Sequence, residues 1–352
     1  MEYLILFVLF CSFYLSLVYF LGLFYKFPNG SGVSSDNSIV IIPARNEEKI
    51  IGVCVNSVKK IFKNIYVVAN NCVDNTVGVA FSSGANVLKV DGNFINGKDS
   101  AIRWALSELS KRYNSFNYFV FDSDVVLEKN FNNVFKYVGN DIATFPYKVY
   151  NSDNILARLS GLISVYVFRI SKGFDIFFKK SFLNGVAFFI PGNKVEDFMS
   201  FESKTKTEDF ESSLFFKVRF VDVDGVYTLL PNNFKGLFYQ RLRWFSSWYE
   251  IPIYYSKQLF KRIEFMPLFV MFYYSIIYMI LLILFPINLF YYLFSGLIYV
   301  NRYENNKWYD YFLLPFYIVV LQSLGFLSAF INVDWISQRK FDKKGGIINE
   351  KV

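Results

Sequence analysis

The fold class of this 352-residue chain is decided by one stretch, Tyr118-Phe119-Val120-Phe121-Asp122-Ser123-Asp124. Its first four residues are apolar and aromatic, which is typical of a buried strand. Two carboxylates follow at the point where that strand would end. In open α/β sheets ligands bind at the carboxyl ends of strands, where two such carboxylates can share one Mg²⁺ or Mn²⁺ ion. The alternative is a simple polar turn, because Asp-x-Asp is a common tripeptide.

The segments before this stretch alternate between strand and helix patterns. Short β-branched runs predict strands, and apolar residues at helical spacing predict helices between them. The predicted strands are 38–42, 65–69, 87–90 and 118–121, and the predicted helices are 47–60, 74–82 and 98–111. This alternation predicts an α/β fold, with a mostly parallel sheet covered by helices on both faces.

Three long runs, 3–25, 265–300 and 311–333, contain no charged residue. Each is long enough to cross the hydrocarbon layer as a helix, and buried core helices are the alternative. The first run lacks a basic n-region, so it predicts an anchor rather than a cleaved signal peptide. Basic residues flank the segment between the first two runs, which places that segment in the cytosol by the positive-inside rule. We therefore expect an integral protein of the cell membrane.

Composition excludes several classes of function. The chain has no histidine, so Ser-His-Asp triads, Cys-His pairs and His-ligated zinc are absent. Its three cysteines lack metal-ligand spacing. The net charge of +8 comes from dispersed Lys and Arg residues, which fit membrane flanks and a phosphate-bearing substrate better than nucleic acid. Acid–base chemistry must therefore rest on Asp, Glu, Lys or Tyr.

Five further motifs accompany the Asp-x-Asp pair. They are residues 42–48 (Ile-Pro-Ala-Arg-Asn-Glu-Glu), residues 67–76, Gly97-Lys98 with Ala101, Thr207-Glu208-Asp209, and Gln240-x-x-Arg243-Trp244. In this order they resemble the motifs of family 2 glycosyltransferases, inverting enzymes with a GT-A fold that include cellulose, hyaluronan and poly-N-acetylglucosamine synthases. The resemblance runs from about residue 39 to residue 244 and implies a GT-A nucleotide-sugar domain with α-helical membrane segments.

The resemblance implies a role for each acidic motif. Asp122 and Asp124 would hold Mg²⁺ or Mn²⁺ against the donor diphosphate. Asp209 would be the catalytic base that takes the proton of the acceptor hydroxyl, with Glu208 beside it as the second catalytic candidate. The plainer interpretation of this second motif is a helix start, in which Thr207 is the cap and the acids lie in the first turn.

The resemblance also implies the nucleotide-sugar contacts, which are Pro43, Ala44, Arg45, Glu47, Asn70, Lys98, Asp122, Gln240, Arg243 and Trp244. Asn70 stands where many relatives have a carboxylate, and its amide can still donate to and accept from a base. Arg243 would grip phosphate, while Trp244 and Gly185 would contact the acceptor. The alternatives are an interfacial helix near residue 240, a simple turn at 183–189 and a solvated helix start at Lys98.

These observations predict an N-terminal anchor (1–26), a linker (27–37), a cytosolic GT-A domain (38–235), interfacial helices (236–262), C-terminal membrane segments (263–333) and a basic tail (334–352). The predicted reaction moves a sugar from a nucleotide-diphosphate sugar to an acceptor hydroxyl with inversion, and builds a β-linked polysaccharide. A lipid or lipid-linked acceptor is the alternative, and a non-catalytic scaffold is less favoured. Membrane lipid is an expected partner, and nucleic acid is not.

Overall fold

A computed structural model describes residues 2–26, 30–90, 97–113, 115–205 and 207–266, together with 268, 269, 309, 310, 313 and 317. The strands are β1 (Ser38–Ala44), β2 (Asn64–Asn70), β3 (Asn86–Val90), β4 (Asn117–Phe121), β5 (Val126–Leu127), β6 (Ile142–Thr144), β7 (Lys148–Val149), β8 (Ala187–Ile190), β9 (Val218–Phe220) and β10 (Val226–Thr228). The helices are α1 (Glu2–Leu21), α2 (Ile51–Val58), α3 (Thr76–Ser82), α4 (Gly97–Ser110), α5 (Ile155–Phe178), α6 (Val195–Ser200), α7 (Glu208–Ser212) and α8 (Phe234–Lys261). Short 3-10 helices cover Gly22–Phe24, Lys129–Lys136, Gly192–Lys194 and Ile263–Phe265.

The main sheet has seven strands in the order β3-β2-β1-β4-β8-β6-β9. Strands β1 to β4 pair in parallel, whereas β8 is antiparallel to both of its neighbours. A second sheet has the order β5-β10-β7. The fold is therefore the predicted mostly parallel α/β sheet, of the GT-A type. The small second sheet was not predicted, because strands of two or three residues show no readable alternation.

Alternate residues of β1 pack into two separate hydrophobic cores. Val40 and Ile42 face the core that contains α2 and α3, whereas Ile39 and Ile41 face the core that contains α4 and α6. A side-chain period of two along a strand produces this division. Helices thus cover both faces of the sheet, and the strand ends are left free for a site.

The predicted helix at 47–60 begins later than expected, because α2 starts at Ile51. Asn46 lies in the left-handed region, with φ of 57°, and turns the chain out of β1. The backbone N–H of Glu47 then donates to Thr76 Oγ1 at 2.7 Å. Residues 46–50 therefore form a turn held by the first residue of α3, which the helical spacing alone did not indicate.

The predicted interfacial helices at 236–262 are described as one element, α8, with a bend. Tyr255 has non-helical angles (φ −130°, ψ 30°), three residues after Pro252. A proline inside a helix has no N–H to donate and crowds the preceding turn, which accounts for the bend. Before the bend, α8 carries the Gln-x-x-Arg-Trp motif, and at the bend the hydroxyl of Tyr255 donates to Glu211 of α7.

Helix α1 packs against α5, and Val18 of α1 belongs to the same buried cluster as Phe174 of α5. Counting only the residues that the structure describes, no helix is both long and apolar enough to cross a membrane. The side chains of 2–9, 11 and 12 in the predicted anchor, most of the predicted C-terminal membrane segments (263–333) and the whole predicted tail (334–352) lie outside the described residues.

Candidate active site

A cavity of about 490 Å³ opens at the carboxyl ends of β1, β2 and β4 and is closed on the far side by α7 and α8. Every site residue that the sequence predicted lines this cavity. These residues are Pro43, Ala44, Arg45, Glu47, Asn70, Lys98, Asp122, Asp124, Gly185, Glu208, Asp209, Gln240, Arg243 and Trp244. The motifs are spread over 202 positions, from 43 to 244, and the fold brings them to one place.

Asp122 and Asp124 lie in the turn that follows β4, as predicted. The backbone N–H of Asp122 donates to the carbonyl of Val186 at 2.9 Å, which fixes the turn to the segment before β8. Asp124 is buried, and its Oδ1 accepts from Thr228 Oγ1 at 3.2 Å. Both carboxylates are thus anchored by neighbouring strands and border the cavity.

Lys98 links three parts of the site. Its Nζ lies 2.5 Å from Asp122 Oδ1 and donates to the carbonyl of Gly185. Burial alone would lower the pKa of Lys98, but the charges of Asp122 and Glu208 outweigh it, so the pKa is raised. The side chain therefore stays a cation, held at the cavity by its contacts with Asp122 and Gly185.

Asn70 ends β2 at the edge of the cavity. Its Nδ2 donates to the carbonyl of Gly97 at 3.2 Å, and its Oδ1 accepts from Asn71 Nδ2 at 3.0 Å. Asn71 takes the left-handed conformation, with φ of 50°, to make this turn. Each functional group of the Asn70 amide is therefore held by a protein partner.

Helix α7 carries Glu208 and Asp209 at its first two positions, directly after Thr207. Thr207 occupies the cap position but its side chain makes no capping bond. Asp209 Oδ1 accepts from the N–H of Phe210 at 2.8 Å. A Cβ added to Gly185 would lie 2.8 Å from Asp209 Oδ2, so a larger residue there would displace the carboxylate from its present position.

Both carboxylates are hard to ionise in this position. Burial, and then the charge of Asp209, raises the pKa of Glu208 to about 7. Burial raises the pKa of Asp209, while the charges of Lys98 and Arg243 oppose that rise. Within the described residues Glu208 has no hydrogen-bond partner. A carboxylate whose pKa approaches neutrality is suited to accept a proton from a substrate.

Glu211, one turn further along α7, was not predicted. It is fully buried, and its carboxylate accepts from Lys204 N and Thr205 N, both at 2.8 Å, from Ser203 Oγ at 2.8 Å and from Tyr255 Oη. One side chain thus joins α7, the segment before it and the bend of α8. No sequence signal marked it, because its partners are set by tertiary contacts.

Several polar side chains of α8 line the cavity. Gln240, Arg243 and Trp244 line it as their spacing predicted, and so does Arg241, which sequence reasoning treated as a variable position of the motif. The guanidinium of Arg241 lies over the Trp244 ring, with Cζ 4.3 Å from the ring centroid. One face of the Trp244 ring is therefore covered by a cation of its own helix.

Comparison with known proteins gives a family. The sequence profile of Glycosyl transferase family group 2 matches residues 120–305, more than half of the chain. The chain belongs to this family. The protein is therefore a glycosyltransferase, which confirms the predicted enzyme class. No curated protein matches the chain.

Similar solved structures include two of glucosyl-3-phosphoglycerate synthase from Mycobacterium tuberculosis. One, in complex with Mn²⁺, UDP-glucose and phosphoglyceric acid, is 15% identical over 60% of this chain and 83% of that chain, with a TM-score of 0.39. Another, in complex with Mn²⁺, UDP and glucosyl-3-phosphoglycerate, is 17% identical over 55% and 72%, with a TM-score of 0.35. Similarity at this level does not define the substrates of the present glycosyltransferase.

The cavity of this glycosyltransferase has an apolar wall that was not predicted. Helix α5 contributes Ile163, Val167 and Ile170, and α7 and α8 contribute residues such as Phe210 and Trp248. Phe210 and Trp248 pack together with ring centroids 5.2 Å apart. The polar groups of the cavity therefore adjoin an apolar surface formed by α5, α7 and α8.

The described residues contain no group of three or more Cys, Asp or Glu side chains arranged to hold a metal ion. Asp122 and Asp124 border the cavity and are the two carboxylates that would hold a metal ion there. Such an incomplete ligand set suits Mg²⁺ in phosphate-transfer sites, because that ion keeps positions for water and substrate oxygens.

Proposed function

We propose that this glycosyltransferase is a membrane-bound, inverting enzyme that transfers a sugar from a nucleotide-diphosphate sugar to an acceptor hydroxyl and extends a β-linked polysaccharide. One observation carries the proposal. Asp122 and Asp124, which suit a cation and diphosphate, and Asp209, which suits a base, line the same cavity from separate elements. Lys98 lies between them, in contact with Asp122 and near Gly185 and Asp209.

The donor end of the cavity fits a divalent cation. Asp122 and Asp124 supply the hard oxygen ligands that Mg²⁺ or Mn²⁺ prefers. When bound, the cation supplies positive charge that offsets the charge of the departing diphosphate. Lys98 already neutralises Asp122 at 2.5 Å, and its ammonium can turn to a phosphate oxygen when the cation takes over that task.

The acceptor end fits general base catalysis. Asp209 is half-buried beside Gly185, and desolvation is the first cause of its raised pKa. An acceptor hydroxyl next to Asp209 loses its proton to the carboxylate as its oxygen attacks the anomeric carbon. Attack from the side opposite the diphosphate inverts the configuration. Glu208 lies beside this base, and burial together with the charge of Asp209 raises the pKa of Glu208 to about 7.

The remaining predicted contacts are distributed around the donor. Asn70 and the turn at Pro43, Ala44, Arg45 and Glu47 border the end that suits the nucleoside, whereas Gln240 and Arg243 enter from α8. Arg243 acts electrostatically on Glu208 and Asp209, so it lies near the reacting centre. A guanidinium at that place can bind phosphate oxygens of the donor.

Exposed apolar side chains support the membrane-bound part of the proposal. Phe10, Phe13 and Phe20 of α1 expose more than half of their surface, as do Ile253 and Phe260 near the end of α8. Large exposed apolar side chains are typical of an interaction site, and a bilayer covers such a surface. We therefore propose that the enzyme resides in the cell membrane with its catalytic domain in the cytosol.

A lipid or lipid-linked acceptor is the second candidate. The apolar wall from α5, α7 and α8 favours it, because an acyl or prenyl chain would bury that surface. A glycan acceptor instead uses the aromatic rings of the wall for stacking. The two candidates share the donor, the cation and the base, and differ only in what fills the apolar end.

The test is to incubate the purified protein with Mn²⁺ and a panel of nucleotide sugars, first with membrane lipid extract and then with oligosaccharides, and to analyse the products by mass. The proposal expects one donor to be consumed, and a ladder of masses spaced by one sugar. A single addition to a lipid would select the second candidate. No consumption of any donor, from a protein that remains folded, would contradict both.

A further inference from the structure

Arg241 is a cation that lines the cavity and has no role in the reaction proposed above. It is only 5% exposed, and it lines the cavity together with the other residues of its helix. Its Nε is buried without a hydrogen-bond partner, and no carboxylate among the described residues pairs with it. The Trp244 ring, at 4.3 Å from Cζ, holds the guanidinium in place but does not neutralise it.

A buried guanidinium without a counter-charge destabilises the folded protein unless a ligand supplies that charge. An arginine side chain stays charged at any pH a protein tolerates, and a buried charge is normally paired. Two other buried arginines in the described part of the chain have carboxylate partners: Arg158 binds Asp310 through two bonds of 2.6 and 2.8 Å. Arg262, in turn, binds Glu264 Oε1 at 2.7 Å. Arg241 differs from them in facing a cavity rather than a carboxylate.

Arg241 shares its cavity with Asp122 and Asp209, the proposed reacting groups. Tyr147, whose Oη bonds to Ser164 Oγ of α5 at 3.0 Å, lines the same cavity as Arg241, Asp122 and Asp209 and interacts electrostatically with all three. The pKa of Tyr147 is raised first by burial. Arg241 thus lies at the junction of the polar end and the apolar wall, where an anionic group of a substrate can reach it.

We propose that Arg241 is a phosphate-binding residue of the substrate site, whose buried guanidinium is neutralised only when a phosphate group enters the cavity. This inference rests on the proposed function, since it assumes a phosphate-bearing substrate. A planar guanidinium offers parallel N–H donors that match two phosphate oxygens. The phosphate can belong to the donor diphosphate or to a phosphorylated acceptor, and the same chemistry recognises both.

The experiment compares Arg241→Gln and Arg241→Lys with wild type and with Lys235→Gln, a control that removes an exposed charge from the first turn of the same helix. Binding of two probes is measured by calorimetry, namely UDP with Mn²⁺ and phenyl phosphate without metal. Thermal unfolding of each ligand-free variant is recorded in parallel. Asp124→Asn is included so that failure of the proposed donor site is seen separately.

Arg241→Gln is expected to lose at least about tenfold in affinity for one probe, as for a lost charge-assisted hydrogen bond. Arg241→Lys should recover part of that affinity, and Lys235→Gln should match wild type. A loss for UDP alone identifies the donor diphosphate as the source, and a loss for phenyl phosphate alone identifies the acceptor. The ligand-free Arg241→Gln protein should unfold at the same or a higher temperature, because an unpaired buried charge is gone.

Unchanged affinity of Arg241→Gln for both probes would overturn the inference, as would a wild-type protein that binds neither. A lower unfolding temperature with normal binding would show instead that Arg241 is structural. If Asp124→Asn keeps full Mn²⁺-dependent affinity for UDP, the proposed donor site fails. The phenyl phosphate measurement still tests Arg241 in that case, because it contains no metal.

Discussion

The two halves of the cavity differ in how their charged and polar groups are held. In the half formed by strand ends, protein partners hold the groups directly: Lys98 contacts Asp122, Thr228 donates to Asp124, and Asn70 donates to Gly97. In the half formed by α7 and α8, Glu208, Arg241 and Arg243 have no direct ion pair within the described part of the chain. Burial raises the pKa of Glu208 and Asp209 in this half.

This difference in pairing indicates that the two halves serve donor binding and catalysis separately. Groups that the protein has already paired are pre-organised, and they suit a ligand that must be oriented before reaction. Groups in the cavity that lack an ion pair are completed by the substrate, and they suit chemistry in which protons and charges move. We therefore expect changes in the strand half to affect donor binding, and changes in the helical half to affect turnover.

The largest effect is expected from Asp124→Asn in the strand half. An amide keeps the shape of the side chain but weakens the cation site, so transfer should fall by roughly a thousandfold, since a cation contributes several kcal/mol to charge stabilisation. Transfer is measured with the donor that the panel identifies. Asp197→Asn, an exposed aspartate on α6, should transfer like wild type. Metal-dependent transfer by Asp124→Asn at the wild-type rate would remove Asp124 from the cation site.

Asp209→Asn in the helical half should lower kcat by roughly 10²- to 10⁴-fold, the range for loss of a general base. KM for the donor should change little, because the strand half is intact. Steady-state kinetics at matched protein concentration separate the two constants. If KM rises and kcat is kept, Asp209 binds substrate rather than accepting a proton.

Glu211→Gln tests whether the helical half depends on one buried anchor. The amide must turn its NH₂ group toward N–H or O–H donors that Glu211 now satisfies, which should lower the free energy of unfolding by about 1–3 kcal/mol. Because α7 carries Asp209, kcat should also fall while UDP affinity persists. Chemical denaturation and calorimetry measure the two effects, with exposed Glu202→Gln as the control. Unchanged stability would show that the network is dispensable.

The smallest effect is expected for Glu208→Gln, in the pH profile. The base must be ionised, so activity is lost as pH falls through the raised pKa values of the Glu208 and Asp209 pair; Glu208 has a pKa of about 7. Removing the Glu208 charge lets Asp209 ionise at lower pH, and the acidic limb of kcat/KM should move down. Glu196→Gln on the surface of α6 should leave the profile in place. A limb that does not move would mean that the two carboxylates are not coupled.

Much of the strand half could be predicted from the sequence, because its information is local. Buried strands such as β4 read as apolar runs, and their functional residues follow at once in the chain, as Asp122 and Asn70 do. The Gln-x-x-Arg-Trp spacing likewise placed Gln240, Arg243 and Trp244 on one face of α8. All of these residues line the cavity, whereas their chemical roles stay predictions.

The helical half was predicted less completely, because burial and pairing there arise from contacts between distant segments. The Glu211 carboxylate is bound by Tyr255, 44 residues away. The apolar wall is formed by residues of α5, α7 and α8, which are distant in the sequence. Arg241 lies between the specified positions of the Gln-x-x-Arg-Trp motif. Only the structure shows that its Nε is buried without a hydrogen-bond partner. The late start of α2 has a similar cause, since Thr76 holds the turn at Glu47.

The most direct test of the division between the two halves is to titrate wild type, Asp124→Asn and Asp209→Asn with UDP in the presence of Mn²⁺ by calorimetry, beside the transfer rate of each. The account predicts that Asp209→Asn binds like wild type and transfers almost nothing, whereas Asp124→Asn loses both binding and transfer. The contrary result is loss of UDP binding in Asp209→Asn with normal binding in Asp124→Asn, which would show that the two halves do not divide the work as described.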